Sequence, residues 1–359
     1  MRIIVDGLPY PIVVTDEAPK EAAFIAAREA ARSIVVCDRS VESRAHEVVQ
    51  SLQAAGCHVL GELCIDAGER RKQWKSVHAL HTAFLEAGVD RTSLVIGIGG
   101  GTLTDVVGFA AATFMRGVRW LALPTTVLGM VDAAIGGKTG VDRPEGKNLI
   151  GAIWQPVGVV ADLESLATLP AVQRRTGMAE VIKAAIVGDA ALLDAAEQAD
   201  VDAAPQRWAS LIAQAAAVKA RVVAIDLNDS GTRATLNLGH TFAHAIEHAS
   251  KYRVAHGAAV ALGLRAAGVL ARTHTGWSHD DHRRVVRVLR RAGLRVRSPK
   301  ISADAIIAAM QSDKKRIGGV LQFVLPVRLG EVRAGVEVPE ADVRQALSAL
   351  QSLPVRGAW

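Results

Sequence analysis

Only three cysteines, Cys37, Cys57 and Cys64, occur in 359 residues, an odd number without the paired spacing of a metal knuckle. A disulfide-framed scaffold is thereby excluded, and free thiols in a reducing cytoplasm are expected. Aromatic residues make up 4% of the chain, and none interleaves Arg283, Arg284, Arg287, Arg290, Arg291, Arg295 and Arg297. The stacking platforms of a nucleic-acid groove are thus missing where positive charge is densest. No window approaches about eighteen uninterrupted apolar residues, which argues against a membrane span. Met1-Arg2-Ile3-Ile4-Val5-Asp6-Gly7 has an early acid and no long apolar stretch, so it reads as a first strand and not a signal peptide. Internal repeats and low-complexity tracts are absent.

What is present describes an ordinary globular enzyme. Half the residues are hydrophobic and 22% charged, and the length admits two domains or one large α/β domain. The net charge of +6 suits an anionic small substrate as well as nucleic acid, so it decides nothing alone. Much of that excess lies on one amphipathic helix whose apolar side is Val285, Val286 and Leu289. A solvated helix face is the expected reading of it.

Short apolar runs on either side of Gly7-Leu8-Pro9 suggest a strand pair. Helices are expected from about Lys20 to Ala31, Ala45 to Leu52 and up to about Ala87. Strands are expected at Ile34 to Cys37, ending in Asp38, at His58 to Leu60, and at Ser93 to Ile96. This alternation is the pattern of a parallel sheet covered on both faces. Gly97-Ile98-Gly99-Gly100-Gly101 follows the last of these strands, where backbone N–H groups and a helix start favour a pyrophosphate. The cluster sits late, and its candidate acid, Asp38, lies upstream of it. In the ordinary dinucleotide fingerprint the glycines come after the first strand and the acid follows, so a simple dehydrogenase is disfavoured. Asp38 fits a ribose-binding acid and a helix N-cap equally well.

Arg116, Pro124-Thr125-Thr126, Asp132, Gly136-Gly137-Lys138 and Gly146-Lys147-Asn148 follow, cations and hydrogen-bonding groups separated by small residues. They read as a bed for a second, anionic ligand. Beyond about residue 178 the spacing becomes helical, with segments from Ala179 to Ala196, Gln206 to Ile225, Thr241 to Ala249, Gly257 to Thr273 and Asp280 to Ala292. Two short strands are expected around Gly319 to Pro326 and Val332 to Val338, before a last helix from about Glu340 to Leu350. The fold class is therefore an α/β nucleotide-binding domain with a Rossmann-like parallel sheet over 1–177, followed by a mainly α-helical domain over 178–359.

His240, His244, His248 and His256 fall within one short stretch, and His240 and His244 are one helical turn apart. Imidazoles favour zinc-like ions, whose catalytic sites take three protein ligands. Glu180, in an apolar setting, and Glu247, on the side of His240, are rival carboxylates for such a site. The same spacing also serves core or surface histidines without a metal.

Gly99-Gly100-Gly101, Met115-Arg116-Gly117, Pro124-Thr125-Thr126, Asp132, Ile135-Gly136-Gly137-Lys138-Thr139, Gly146-Lys147-Asn148-Leu149-Ile150-Gly151, Gly177-Met178-Ala179-Glu180, Asn237-Leu238-Gly239-His240-Thr241 and His256-Gly257 together resemble the motif series of 3-dehydroquinate synthase, in the family's order. The resemblance runs from about residue 38 to Lys315. It implies that Glu180, His240 and His256 bind a divalent metal, zinc or cobalt. Asp38, Glu69, Lys72, Gly100, Gly101, Asp105, Thr125 and Thr126 match positions that hold NAD, with Lys138 and Lys147 adjoining them. Arg116, Asp132, Lys138, Lys147, Asn148, Lys183, Lys219, Arg233, Asn237 and His244 match the substrate pocket, and Lys314 and Lys315 the basic pair that closes it. Among these, Lys138, His244, Asp132, Lys183 and Arg233 are the expected catalytic set. Pattern alone reads Lys219 and Arg233 as surface residues. Two departures are small: Leu103-Thr104-Asp105 follows the glycines where Val/Ile-Gly-Asp is more frequent, and Ala243 often gives way to glycine in the family.

The implied activity is that of a phosphorus–oxygen lyase. It turns 3-deoxy-D-arabino-heptulosonate 7-phosphate into 3-dehydroquinate and phosphate by transient oxidation, phosphate elimination, reduction and aldol closure. Rival readings are the other sugar phosphate cyclases, of the amino-dehydroquinate, deoxy-inosose or valiolone type, and the metal-dependent alcohol or glycerol dehydrogenases. A binding module built on the arginine helix is a third. A small sugar phosphate is the expected partner, with no nucleic acid and no membrane, and a homodimer in the cytoplasm is the family expectation.

Overall fold

The computed structural model describes residues 1–66, 68–298, 301–312, 316–317 and 320–352. They fall into two compact units, Met1–Gln173 with Ala203–Ala224, and Arg174–Asp202 with the chain from Ile225 onward.

The first unit contains nine strands: β1 (Arg2–Val5), β2 (Ile12–Thr15), β3 (Arg32–Asp38), β4 (His58–Ile65), β5 (Leu94–Gly99), β6 (Arg119–Pro124), β7 (Lys138–Arg143), β8 (Gly146–Ile153) and β9 (Gly158–Asp162). Seven of them form one sheet in the order β1-β2-β9-β6-β5-β3-β4. The β1–β2 pair is antiparallel and every other pairing is parallel. Residues 94 to 99 are buried without interruption, and so is the centre of β3. Such unbroken apolar runs are what strands covered on both faces require. The covering helices are α1 (Ala18–Glu29) and α2 (Glu42–Ala54) on one face, with α3 (Trp74–Glu86) and α4 (Gly101–Thr113) supplying the other. α4 presses close to the sheet because Gly97 has no side chain: a Cβ there would meet Val107 at 3.1 Å.

The strand order resolves the displaced glycine cluster. From β3 the chain goes outward to β4 and then returns to place β5 on the other side of β3. The carboxyl ends of β3 and β5 therefore flank a reversal of strand order, the usual ligand crevice of open α/β sheets. Asp38 ends β3 and Gly99 ends β5, and a Cβ on Gly99 would lie 3.2 Å from that of Asp38. Acid and glycines are neighbours in space although inverted in sequence.

β7 and β8 form a separate hairpin whose register pairs Gly140 with Gly151. A Cβ on Gly151 would meet the Thr139 carbonyl oxygen at 2.1 Å, so this pairing needs glycine. Gly146-Lys147-Asn148 thus opens β8, and Asn148 takes a left-handed φ of 53°.

In the second unit and at its borders lie α5 (Ala171–Gly188), α6 (Ala190–Gln198), α7 (Ala209–Ile225), α8 (His240–Ala249), α9 (His256–His274), α10 (His279–Arg291), α11 (Ala303–Ser312), the strands β10 (Arg316–Ile317), β11 (Val320–Arg328) and β12 (Glu331–Glu337), and α12 (Glu340–Gln351). α9 is the hub, packed by α8, α10, α12 and β11. The segment read as one helix from Ala179 to Ala196 breaks at Asp189, whose carboxylate accepts from Ala191 N at 3.0 Å and caps α6. α7 packs with the first unit. The helical stretch Pro205–Ile225 is long and apolar enough to cross a membrane by length and composition, but 61% of its apolar window is buried inside the fold. Three of the five arginines of α10 are ion-paired: Arg284 with Asp194 and Glu197, Arg287 with Glu197 and Arg283 with Asp280.

Candidate functional site

In the second unit three helix segments converge. Glu180 comes from α5, and His240 and His256 are the first residues of α8 and α9. One donor atom from each lies within 4.8 Å of the other two. α8 begins close to α9 because Gly239 adopts φ +76°, and a Cβ there would come within 2.9 Å of the Leu264 backbone nitrogen. His240 Nε2 is 3.5 Å and His256 Nε2 3.1 Å from Glu180 Oε1.

Each imidazole is oriented from behind. His240 Nδ1–H donates to the Leu238 carbonyl at 3.2 Å; a carbonyl only accepts, so Nε2 is the nitrogen left for a ligand. His256 turns its Nδ1 to Glu247 Oε1 at 3.4 Å. The rival carboxylate, Glu247, therefore stands behind His256 and outside the trio. A carboxylate or carbonyl behind each histidine is the arrangement that fixes metal-binding imidazoles. His244, one turn on, is exposed, its ring centroid 5.3 Å from that of His240 and outside the trio. His248 is also exposed.

Electrostatics fit a cation. Burial disfavours the charge of Glu180, but Lys183, His240 and His256 outweigh it and hold the carboxyl well below its usual range. Lys183 Nζ lies 2.6 Å from Glu180 Oε2, yet Oε2 receives no hydrogen bond. Burial likewise opposes a charged His256, and its bonds to Glu180 and Glu247 override that, pushing it up to about 10. Two nitrogens and one carboxylate, 1% exposed at Glu180, make a donor set suited to zinc-like ions.

Gly257 sets how near α9 comes to α5, since a Cβ there would lie 2.5 Å from Thr176 Cα. Gly257→Ala is expected to cost about 1–3 kcal/mol by overpacking and to weaken zinc binding by moving His256. Urea unfolding and zinc titration check both; native zinc affinity with native stability would contradict the contact.

Arg233 is 1% exposed, a correction to its reading as a surface residue. Its loop is held by a residue the sequence reading missed. Asp226 accepts from Ser230 N and Oγ at 2.8 and 3.0 Å, from Gly231 N at 2.8 Å and from Arg233 N at 3.0 Å. These bonds hold its carboxyl below the ordinary range. An acid shortly before Ser-Gly is the signal that could have found it. Asn237 ends the same turn, Thr232–Asn237.

In the first unit α4 begins immediately after β5, with Gly100 as its cap. A Cβ on Gly101 would lie 2.7 Å from that of Ala133, and one on Gly100 3.1 Å from Thr126 Cγ2. Thr125 N donates to the Gly99 carbonyl at 2.9 Å, so Thr125 and Thr126 sit beside the glycines. Asp38 Oδ1 accepts from Ser40 N and Oγ, both at 2.9 Å, and so caps the next turn; the carboxylate does this while standing at the crevice. A helix N-terminus over a glycine cradle, with an acid on the neighbouring strand, fits a dinucleotide.

Lys72 is 5% exposed and its Nζ donates to Asp105 Oδ2 and Asn148 Oδ1, each at 2.5 Å. Burial pushes Asp105 up to about 6 against the pull of Lys72. Asn148 N donates to Asp142 at 2.8 Å and Asp142 N to the Lys72 carbonyl at 2.8 Å, joining the hairpin tip to this cluster. Lys147 reaches Glu69 at 2.6 Å. Lys219, also read from pattern as a surface residue, is 9% exposed and ion-paired with Asp132, which stands in a π-helical turn, Gly129–Ala133. Lys138 opens β7 and is exposed; Arg116 is exposed in a left-handed conformation at φ 67°. Lys314 and Lys315 lie outside the described residues.

The chain matches the profile of the 3-dehydroquinate synthase N-terminal region over residues 62–176 and that of the C-terminal region over residues 177–316. It is 44% identical over 309 residues to a 3-dehydroquinate synthase of Synechococcus sp. (strain CC9605), covering 84% of this chain and 83% of that one. To that of Prochlorococcus marinus (strain MIT 9313) it is 41% identical over 353 residues, 95% of each. Among solved structures, the 2-epi-5-epi-valiolone synthase of Streptomyces hygroscopicus subsp. jinggangensis 5008, with NAD+ and Zn2+ bound, superposes with a TM-score of 0.86 at 29% identity, covering 96% of this chain and 98% of that one. Matched over residues 62–316 by the two halves of the family profile, and 41–44% identical to its members over most of its length, with Glu180, His240 and His256 within reach of one another, the chain belongs to the 3-dehydroquinate synthase family.

Proposed function

We propose that this chain converts 3-deoxy-D-arabino-heptulosonate 7-phosphate to 3-dehydroquinate and phosphate, using NAD and a divalent cation. The observation that carries the reading is the convergence of Glu180, His240 and His256 with both remote imidazole nitrogens engaged. NAD supplies a hydride acceptor that is restored within each turnover, and the cation supplies Lewis-acid stabilisation of oxygen charge. Glu180, His240 and His256 hold the cation, zinc or cobalt. Asp38 takes the ribose hydroxyls, while Gly100, Gly101, Thr125 and Thr126 seat the dinucleotide phosphates, with Glu69, Lys72 and Asp105 beside them.

Lys138, Lys147 and Asn148 bind the sugar phosphate, and Lys183, Lys219 and Arg233 bind carboxylate and hydroxyls, with Arg116 and Asn237 adjoining. So many cations in two clusters need a multiply charged anion to be tolerated at close range. Asp132 orients Lys219 through their ion pair. His244, exposed and beside His240, carries a proton to or from the substrate. The free thiols and the mobile, small-molecule character of the substrate support a cytoplasmic enzyme that needs neither nucleic acid nor membrane, and family membership supports a homodimer.

Incubation with the heptulosonate phosphate, NAD and zinc or cobalt is expected to release phosphate and dehydroquinate in equal amounts without net NADH. A chelator should stop both. One NADH per substrate with no phosphate would favour a dehydrogenase. The likeness to a valiolone synthase supports a second reading, a cyclase for a substrate without a carboxylate. Turnover of such a sugar phosphate in place of the heptulosonate would establish it.

A further inference from the structure

A second cluster of metal-ligating side chains stands away from the trio, in the first unit. Cys37 on β3 is the direct register partner of Cys64 on β4. Glu62 precedes Cys64 by two residues and so points to the same face of β4. Both sulfurs and a Glu62 carboxylate oxygen lie within 4.8 Å of one another. Cys37 is fully buried, and Cys64 and Glu62 are half-buried toward the sheet edge.

α2 covers this face with otherwise apolar residues, Ala45, Val48, Val49 and Leu52. Two polar residues of α2, one turn apart, border the cluster from its exposed edge: Glu42, whose charge favours the protonated Cys64 thiol, and His46, 63% exposed at its side chain, with Nδ1 3.7 Å from Glu62 Oε2. The nearby guanidinium, Arg39, bonds Asp66 and the Cys64 main-chain carbonyl, leaving the cluster's side chains to one another. Two sulfurs, two carboxylates and an imidazole at one edge of an apolar layer, with the Arg39 guanidinium engaged by Asp66, offer a donor set of the kind that selects soft cations.

We propose that Cys37, Cys64 and Glu62, with Glu42 or His46 completing the coordination, bind a thiophilic divalent cation of the zinc or cadmium class. The site differs from the Glu180 trio in offering sulfur. Binding replaces the thiol protons and pins β4, the edge strand, to β3 one residue before Asp38.

Sulfur also gives the test its selectivity. The reduced full-length protein is titrated with cadmium in a phosphine reductant, and the ultraviolet sulfur-to-metal charge-transfer band is followed. The expected result is a band that saturates at one sulfur-bound equivalent and is displaced by zinc. It should persist in His240→Ala, which removes a ligand of the other site, and in Cys57→Ser, which removes the remaining thiol. It should be lost in Cys64→Ser, a variant at a half-buried position, with near-ultraviolet circular dichroism confirming its fold. Glu62→Ala should weaken cadmium at least several-fold while leaving the band. No band in the folded wild type, a band unchanged in Cys64→Ser, or a Cys37–Cys64 disulfide that survives the reductant would each overturn the proposal.

Discussion

His240→Ala is expected to lose bound zinc on dialysis and to lower turnover by more than about 100-fold, because even the partners behind a metal ligand are worth about 10–100-fold. Two donors, Glu180 and His256, would remain, fewer than the three protein ligands of catalytic zinc sites. Elemental analysis of the dialysed protein and phosphate release measure the two effects separately. A variant that kept both its zinc and its turnover would remove the trio from the chemistry. Loss of zinc with retained turnover would leave it a structural site.

The second large effect concerns stability. Lys183 and Glu180 are 4% and 1% exposed at their side chains, 2.6 Å apart. Lys183→Met removes this cation and leaves the buried carboxylate to the protonated His256, so the loss should fall somewhat below about 3–5 kcal/mol, the cost of a buried charge left with no partner. In metal-free protein the urea midpoint should fall accordingly. Zinc at about 100 times its dissociation constant stabilises a folded protein by about 2.7 kcal/mol. The variant should gain more than the wild type from the same zinc concentration, since no ammonium then competes for Glu180. An unchanged midpoint without metal, or equal gains with it, would show that lysine and cation do not share this carboxylate.

How much of this was legible in the sequence varied with the kind of signal. Strands and helices were, because unbroken apolar runs and three- and four-residue spacings report burial directly; β5 and α10 are examples. The crevice was legible only as two separated pieces, Asp38 and the glycines, whose adjacency depends on strand order. Lys219 was illegible from pattern: one cation on an alanine-rich helix gives no sign of burial, and its partner Asp132 lies 87 residues upstream. Arg233 and Asp226 sit in a loop, where periodicity has no meaning. Glu247 could be placed on the side of His240, but which nitrogen it would meet, and of which histidine, required the geometry.

The route of the chain through its two units has a consequence for how the molecule can come into being. The first unit takes back residues 203–224 after the chain has already contributed 174–202 to the second. A ribosome that has delivered the whole seven-stranded sheet has still not delivered α7, nor the Lys219 that neutralises Asp132. The nascent nucleotide unit must wait for residue 224. A fragment ending at residue 177 would keep the glycine cradle while leaving Asp132 without Lys219 and uncovering the surface on which α7 rests. Neither unit is a continuous piece of the gene product, so separating them as autonomous modules calls for rejoining the chain and not merely cutting it.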